Sequence, residues 1–185
     1  MNKASRIVHL NGVGSSGKSS IAKALQTITA EPFLHIAMDA FLDMLPEASF
    51  GQPDGLVFES VQEDGKPLVI IREGPVAMRA FRGMRHAIAA MAAQGNNLIV
   101  DDVLIGDEKA EYVDLLSAFD VFRVGVFAPL HVLEAREPQR GDRMIGLARW
   151  QYDRVHADMK YDLEVDTSSA TALECANLIK QKFRL

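Results

Sequence analysis

The sequence predicts an α/β architecture, a mostly parallel sheet with helices on both faces. Two observations carry this. Five short apolar runs recur along the 185 residues, each bounded by Gly, Pro, Asn or Asp, and several lack the polar alternation of a half-exposed strand. Between the runs lie stretches whose apolar residues repeat at helical spacing.

The first run, Arg6–Asn11 (RIVHLN), is followed by a glycine-rich turn and a helical pattern from Ser20 to Ile28. The second run covers 33–38 (FLHIAM) and leads into a short helical pattern, Ala40 to Met44. From Pro75, residues Ala77, Phe81, Met84, Ile88 and Met91 form one face of an amphipathic helix that Gly95-Asn96 ends. Further strands are expected at 97–103 (NLIVDDV), Asp120–Phe127 (DVFRVGVF) and 161–166 (YDLEVD). Thr171 and Glu174 stand at capping-box spacing before a final helix carrying Leu173, Ala176, Leu178 and Ile179. The stretch 45–74 is rich in Pro, Gly and acidic residues. Within it, Asp64-Gly65 between two apolar runs predicts a small hairpin near 56–71, and a segment of this kind is expected to form an acceptor pocket.

Composition narrows the function. With 48% apolar and 24% charged residues the chain is an ordinary globular sequence. Its length suits one domain over 1–185, burying roughly 70% of its unfolded surface. A net charge of −5 argues against a nucleic-acid binder that works by neutralising phosphates. The one cysteine, Cys175, cannot form an internal disulfide and fits a reducing compartment. No apolar run approaches a bilayer span, and the opening residues lack a signal-peptide core, so a cytoplasmic location is expected.

The strongest local signal is Gly12-Val13-Gly14-Ser15-Ser16-Gly17-Lys18-Ser19, which matches G-x-x-x-x-G-K-[ST] between a predicted strand and a predicted helix. Glycines let successive N–H groups curl inward toward phosphate oxygens, and the helix start adds its positive dipole end. Lys18 is expected to bridge the outer phosphates of ATP, and the Ser19 hydroxyl to hold Mg²⁺. The loop through Ser20 is therefore the candidate nucleotide cradle. Asp101 and Asp102 end an apolar strand at the sheet edge where ligands gather, and at least one of them is expected to meet the metal.

Asp39 closes the second apolar run. Either it takes the proton of an acceptor hydroxyl during in-line attack on the γ-phosphoryl, or it caps the helix that follows. Asp43, one turn on, reads as a pocket rim or solvated face. Arg136, Arg140 and Arg143 cluster in a segment that Pro138 and Gly141 should interrupt, so a mobile loop is expected over 136–143. These arginines can close over ATP and neutralise the transferring phosphoryl group, or pair with Glu134, Glu137 and Asp142. His9, His35 and His86 read as packed or exposed residues, the role of His156 is open, and Trp150 and Tyr152 read as helix packing. Thr167-Ser168-Ser169 reads as a cap for the last helix or a contact to the adenine. No His or Cys pair has zinc-site spacing.

The stretches IVHLNGVGSSGKSS, MDAFLDMLP, GNNLIVDDVLIG, AREPQRGDRMIGLARWQYDRVH and YDLEVDTS together resemble the chloramphenicol phosphotransferase family, in order and over nearly the whole chain. The resemblance implies a P-loop kinase fold with a five-stranded parallel core, and Mg²⁺-dependent transfer of the ATP γ-phosphate to a hydroxyl of a small molecule. It also implies that Asp39 is the general base and that Arg136, Arg140 and Arg143 are lid arginines. In the namesake member the acceptor is the antibiotic; the divergent stretch 45–75 leaves the acceptor of this chain open. A nucleotide or sugar kinase of the same architecture is the alternative enzyme, with Arg72, Arg79 and Arg82 suited to an anionic acceptor. A non-catalytic nucleotide switch is the other class, although no N-K-x-D base-reading motif follows the loop.

Overall fold

The computed structural model describes residues 4–106, 108–141 and 144–185. A five-stranded sheet, all parallel, has the order β2 (Phe33–Ala37), β5 (Asn97–Asp102), β1 (Arg6–Asn11), β6 (Asp120–Phe127), β7 (Leu163–Asp166). Its runs are apolar because both faces are covered. On one face Val8, Leu10, Ile99, Val124 and Val126 pack against Ile21 and Leu25 of α1 (Lys18–Ile28) and Ile179 of α7 (Ala172–Phe183). On the other, Ile7, Leu98 and Val100 meet Met84 and Ile88 of α3 (Pro75–Ala93) and Tyr112 of α4 (Glu108–Leu115). Each aliphatic side chain taken fully out of water contributes roughly 1.5–3 kcal/mol, so this sandwich is the main source of stability.

Register then builds one edge. Ala37 pairs with Asp101, and Asn11 pairs with both Asp102 and Gly125. The carboxyl ends of three neighbouring strands therefore lie side by side, with the glycine-rich turn leaving β1 and the short helix α2 (Met38–Leu42) leaving β2. The expected hairpin is present as β3 (Leu56–Glu63) and β4 (Lys66–Glu73), separate from the main sheet. Asp64 (φ 51°) and Gly65 (φ 73°) both take left-handed conformations, the two-residue turn that suits the strand twist. Leu56 packs with Leu45, Ala77 and Phe81, fixing the hairpin to α3.

Helix α3 opens with Pro75 in its first turn, where no N–H is needed, and buries Ala77, Phe81, Met84 and Ile88 as the spacing requires. The capping box of α7 is formed by Thr171 and Glu174. Its buried side is Cys175, Ala176 and Ile179, whereas Leu173 and Leu178 face outward.

Two expectations are corrected. The segment carrying Arg136 and Arg140 is not a loop: α5 (Leu130–Arg140) runs through Pro138 and ends at left-handed Gly141 (φ 70°). The proline sits in the last turn, and that turn is fastened by Glu137, whose carboxylate accepts from the N–H groups of Gly146 and Ala148. Glu137 thus holds the start of α6 (Leu147–Val155) instead of facing solvent. Second, β7 begins at Leu163, two residues later than expected, with the Asp162 N–H already bonded to the Arg123 carbonyl just ahead of it. Arg143 and Asp142 lie outside the described residues. Among the described residues no helix is long and apolar enough to cross a membrane.

Candidate active site

The glycine-rich turn is shaped as an anion cradle. Ser15 (φ 63°) and Gly17 (φ 93°) take left-handed conformations and swing the chain into the start of α1, which has no side-chain cap. The leading N–H groups of α1 have no intrahelical acceptor. Gly12 passes so close to β6 that a Cβ would stand 2.4 Å from the Val126 carbonyl oxygen, so no larger residue fits. Ser15 Oγ and Ser16 Oγ are buried without a hydrogen-bond partner among the described residues. Polar atoms left like this await a ligand's acceptors. Val13 points the other way, into a small core with Leu133, Ala148 and Val155. Lys18 curls back along the turn, donating to the carbonyls of Gly12 (2.8 Å) and Val13 (3.0 Å).

Asp101 meets this cradle from β5. Its Oδ2 accepts from Ser19 Oγ at 2.5 Å, and its Oδ1 lies 3.8 Å from Lys18 Nζ. Burial works against the carboxylate, but His35, Lys18 and Ser19 outweigh it and hold the Asp101 carboxyl below its usual range. His35 Nε2, 3.6 Å from Asp101, is therefore part of the site. Asp102 is not. Successive side chains of a strand point to opposite faces, and Asp102 turns to the far side, accepting from Tyr112 Oη (2.7 Å) and the Val103 N–H (2.8 Å). Of the two candidate metal carboxylates, the cradle receives Asp101. Among the described residues no group of three His, Cys, Asp or Glu could hold a metal by itself. The donor set of Ser19 backed by Asp101 suits Mg²⁺, which keeps waters and phosphate oxygens as its remaining ligands.

Three cavities adjoin. A small one of about 60 Å³ is walled by Lys18, Ser19, Asp39, Asp101, Arg140 and Gln151. It shares Ser15, Gly17, Ser19, Ser20 and Arg140 with a groove of about 610 Å³ that runs past Arg136 and Thr167. On its other side it shares Met38, Val103 and Gln151 with a cavity of about 750 Å³. Leu42, Leu56, Phe58, Phe81, Leu147 and Trp150 give that largest space an apolar lining. The hairpin and α3 thus line this cavity, at the segment where an acceptor pocket is expected.

Asp39 lies in the first turn of α2, whose N-cap is Ala37, so Asp39 is not the helix cap. Asp43 is exposed at the end of that helix. Arg136 donates to Thr167 Oγ1 (2.9 Å) and to the Thr167 carbonyl (2.8 Å), and Thr167 Oγ1 donates to the Ser16 carbonyl (2.8 Å). Thr167 therefore clamps α5 to the cradle, and Thr171 does the capping that the Thr167 cluster was expected to do. Arg72 and Arg82 are taken up by Glu59 and Glu111, while Arg79 lines the large cavity.

Two polar networks flank the site. Asn11 Nδ2 donates to Tyr161 Oη (2.8 Å), and His156 Nδ1 lies 2.8 Å from the same oxygen while its ring stacks on Phe127 at 3.9 Å. Burial, with Lys18 and Lys109 nearby, pushes His156 down to about 4, so the ring is neutral and its Nδ1 shares a hydrogen bond with Tyr161 Oη. At the far wall of the large cavity Arg85 donates to Glu108 (2.7 Å) and Glu111 (2.5 Å). Burial, opposed by Arg85 and reinforced by Asp102 and Glu73, pushes Glu108 up to about 7.

The sequence reading passes over Gln151 and takes His35 as a packed or exposed residue. Neither is a residue type that spacing marks as chemical, and their signal is positional: His35 on the strand leading to Asp39, Gln151 on the helix after the arginines, within a stretch that carries the family resemblance.

Residues 5–184 match the family described as chloramphenicol phosphotransferase-like protein. A Mycobacterium tuberculosis protein described as "Putative O-phosphotransferase" is 33% identical over 187 aligned positions, covering 97% of this chain and 82% of the relative. Among solved structures, the Mycobacterium tuberculosis APS kinase, in complex with AMPPNP and APS, superposes with a TM-score of 0.69 at 17% identity over 99% of both chains. A sugar kinase from Janibacter sp. superposes with a TM-score of 0.66 at 17% identity, covering 97% of this chain and 95% of the other. The fold is that of the P-loop kinases.

Proposed function

The chain belongs to the chloramphenicol phosphotransferase-like family, and we propose that it transfers the terminal phosphoryl group of ATP to a hydroxyl of a small molecule. The observation that carries this reading is the cavity shared by Lys18, Asp39, Asp101 and Arg140, with a nucleotide-sized groove on one side and an apolar cavity on the other. In-line displacement needs that order: leaving group, phosphoryl group, base and alcohol.

The acceptor alcohol enters the apolar cavity with its hydroxyl toward Asp39. Asp39 takes the hydroxyl proton as the alcohol oxygen bonds to the γ-phosphorus, and the bond from that phosphorus to the β,γ-bridging oxygen breaks. ADP leaves with the electron pair, and the proton on Asp39 passes to solvent. Lys18 and Arg140 neutralise the charge spreading over the phosphoryl oxygens, and Arg136 holds the groove beside the cradle. Mg²⁺, when bound through Ser19 with Asp101 behind it, offsets charge on the β- and γ-phosphates. The lining suits an alcohol with an apolar body: of the three arginines on its wall, Arg82 and Arg85 are matched to carboxylates and Arg79 is exposed.

The test is a panel of hydroxylated metabolites and antibiotics, chloramphenicol included, assayed for acceptor-dependent ADP release. A phosphorylated alcohol product supports the reading. ATP binding with slow hydrolysis that no alcohol accelerates would instead favour a nucleotide switch.

A further inference from the structure

Gln151 is the one residue that walls both the phosphate cavity and the apolar cavity from α6. It is 3% exposed, and its Oε1 accepts from the Gly14 main-chain N–H at 2.7 Å. A carboxamide has one accepting and one donating end. The Gly14 N–H can only donate, so it settles which end of the group is oxygen. With the oxygen spent on the cradle, the NH₂ end is left to serve the boundary between the two cavities. The helix beneath is fixed too: Ala148 and Val155 are fully buried, Glu137 accepts from the Ala148 N–H in its first turn, and Val69 donates to the carbonyl of its N-cap, Gly146. The group is held in place before any ligand arrives.

We propose that the Gln151 NH₂ group donates to the terminal phosphoryl oxygens of the bound triphosphate, where the phosphate cavity opens on the acceptor cavity. This rests on the reading that the cradle takes ATP. It makes Gln151 the contact that separates a triphosphate from a diphosphate, since ADP has no oxygen at that boundary. It also orients the phosphoryl group toward the alcohol.

Gln151→Glu separates this role from a structural one. Glutamate keeps an oxygen for the Gly14 N–H but replaces the donor with a negative oxygen. Calorimetry with Mg²⁺, a non-hydrolysable β,γ-imido ATP analogue and ADP reads the difference. We expect Gln151→Glu to weaken the analogue by about ten- to a hundredfold, the range of a lost bond to a charged group, and to leave ADP within about twofold. An unchanged analogue affinity, or equal weakening of both nucleotides, overturns the proposal and reduces Gln151 to a prop for the cradle. Wild-type protein that binds neither nucleotide would remove the kinase reading, and this proposal with it. As a second measurement in the unmutated protein, the side-chain amide resonances of ¹⁵N-labelled Gln151 should move on adding the analogue and stay in place with ADP. Equal movement with both nucleotides counts against it.

Discussion

The carboxylate of Glu137 accepts a 2.6 Å hydrogen bond from the main-chain N–H of Ala148, so the last turn of α5 caps the first turn of α6. The second oxygen takes the Gly146 N–H at 2.9 Å, and the side chain is 2% exposed. Leading N–H groups of a helix otherwise go unsatisfied, and here no cap residue of α6 supplies a partner.

Glu137→Gln is therefore expected to be more than a mild change. The amide presents a donor to one of the two N–H groups, losing a charge-assisted bond worth about 1.5–3 kcal/mol. The unfolding free energy should fall by that amount, which lowers the urea midpoint at an unchanged slope. A midpoint equal to wild type would show that Glu137 does not cap α6.

Gly146 ties the β3–β4 hairpin to α5 and α6. Its carbonyl accepts from Val69 at 3.1 Å, its φ is 100°, and a Cβ there would lie 2.5 Å from the Pro67 carbonyl oxygen. Gly65 is a control, with φ 73° and open space around a Cβ. Gly65→Ala should cost about 1–2 kcal/mol from the left-handed backbone alone. Gly146→Ala should cost more, by about 1–3 kcal/mol for the added overlap. Equal losses in urea denaturation would mean that the hairpin moves aside at no cost.

Much of this was legible in the sequence, and the failures have physical reasons. Strand runs, the Asp64-Gly65 turn and the Thr171 box follow from local chemistry, which is written in adjacent residues. Pro138 misled because its helix-breaking tendency is local, whereas the restraint that overrides it, Glu137 on α6, is tertiary. Asp101 and Asp102 stand on one strand end, and only the sheet's sidedness sends one to Ser19 and the other to Tyr112. Gln151 carries no charge, and only the position of α6 puts it on both cavities.

Stability should carry two opposing pH dependences. His156 sits at about 4 when folded against 6.5 ordinarily, so between those values the unfolded chain binds the extra proton. That contribution is lost as pH falls from 6.5 toward 4. Glu108 sits at about 7 against 4.5, so the folded chain binds the extra proton there, and that contribution is lost as pH rises from 4.5 toward 7. Glu108→Gln should leave a stability that climbs more steeply with pH across this window, and His156→Gln one that declines. Urea denaturation at several pH values reads both slopes; parallel curves for wild type and both variants would refute the assignment.

Asp39 and Lys18 wall the same small cavity, yet the proposed chemistry assigns them separable tasks. Lys18→Ala removes the charge that offsets the phosphates, so nucleotide binding itself should be lost. Asp39→Asn keeps size and polarity but cannot take a proton. A positioned general base contributes about 10²–10⁴-fold to rate. Transfer to whichever alcohol the panel identifies should therefore fall by at least about a hundredfold, while ATP affinity measured by calorimetry stays near wild type. The pair separates the base from the cradle. An Asp39→Asn variant that loses ATP binding in step with turnover would move Asp39 to the nucleotide side, and the alcohol would then need another base.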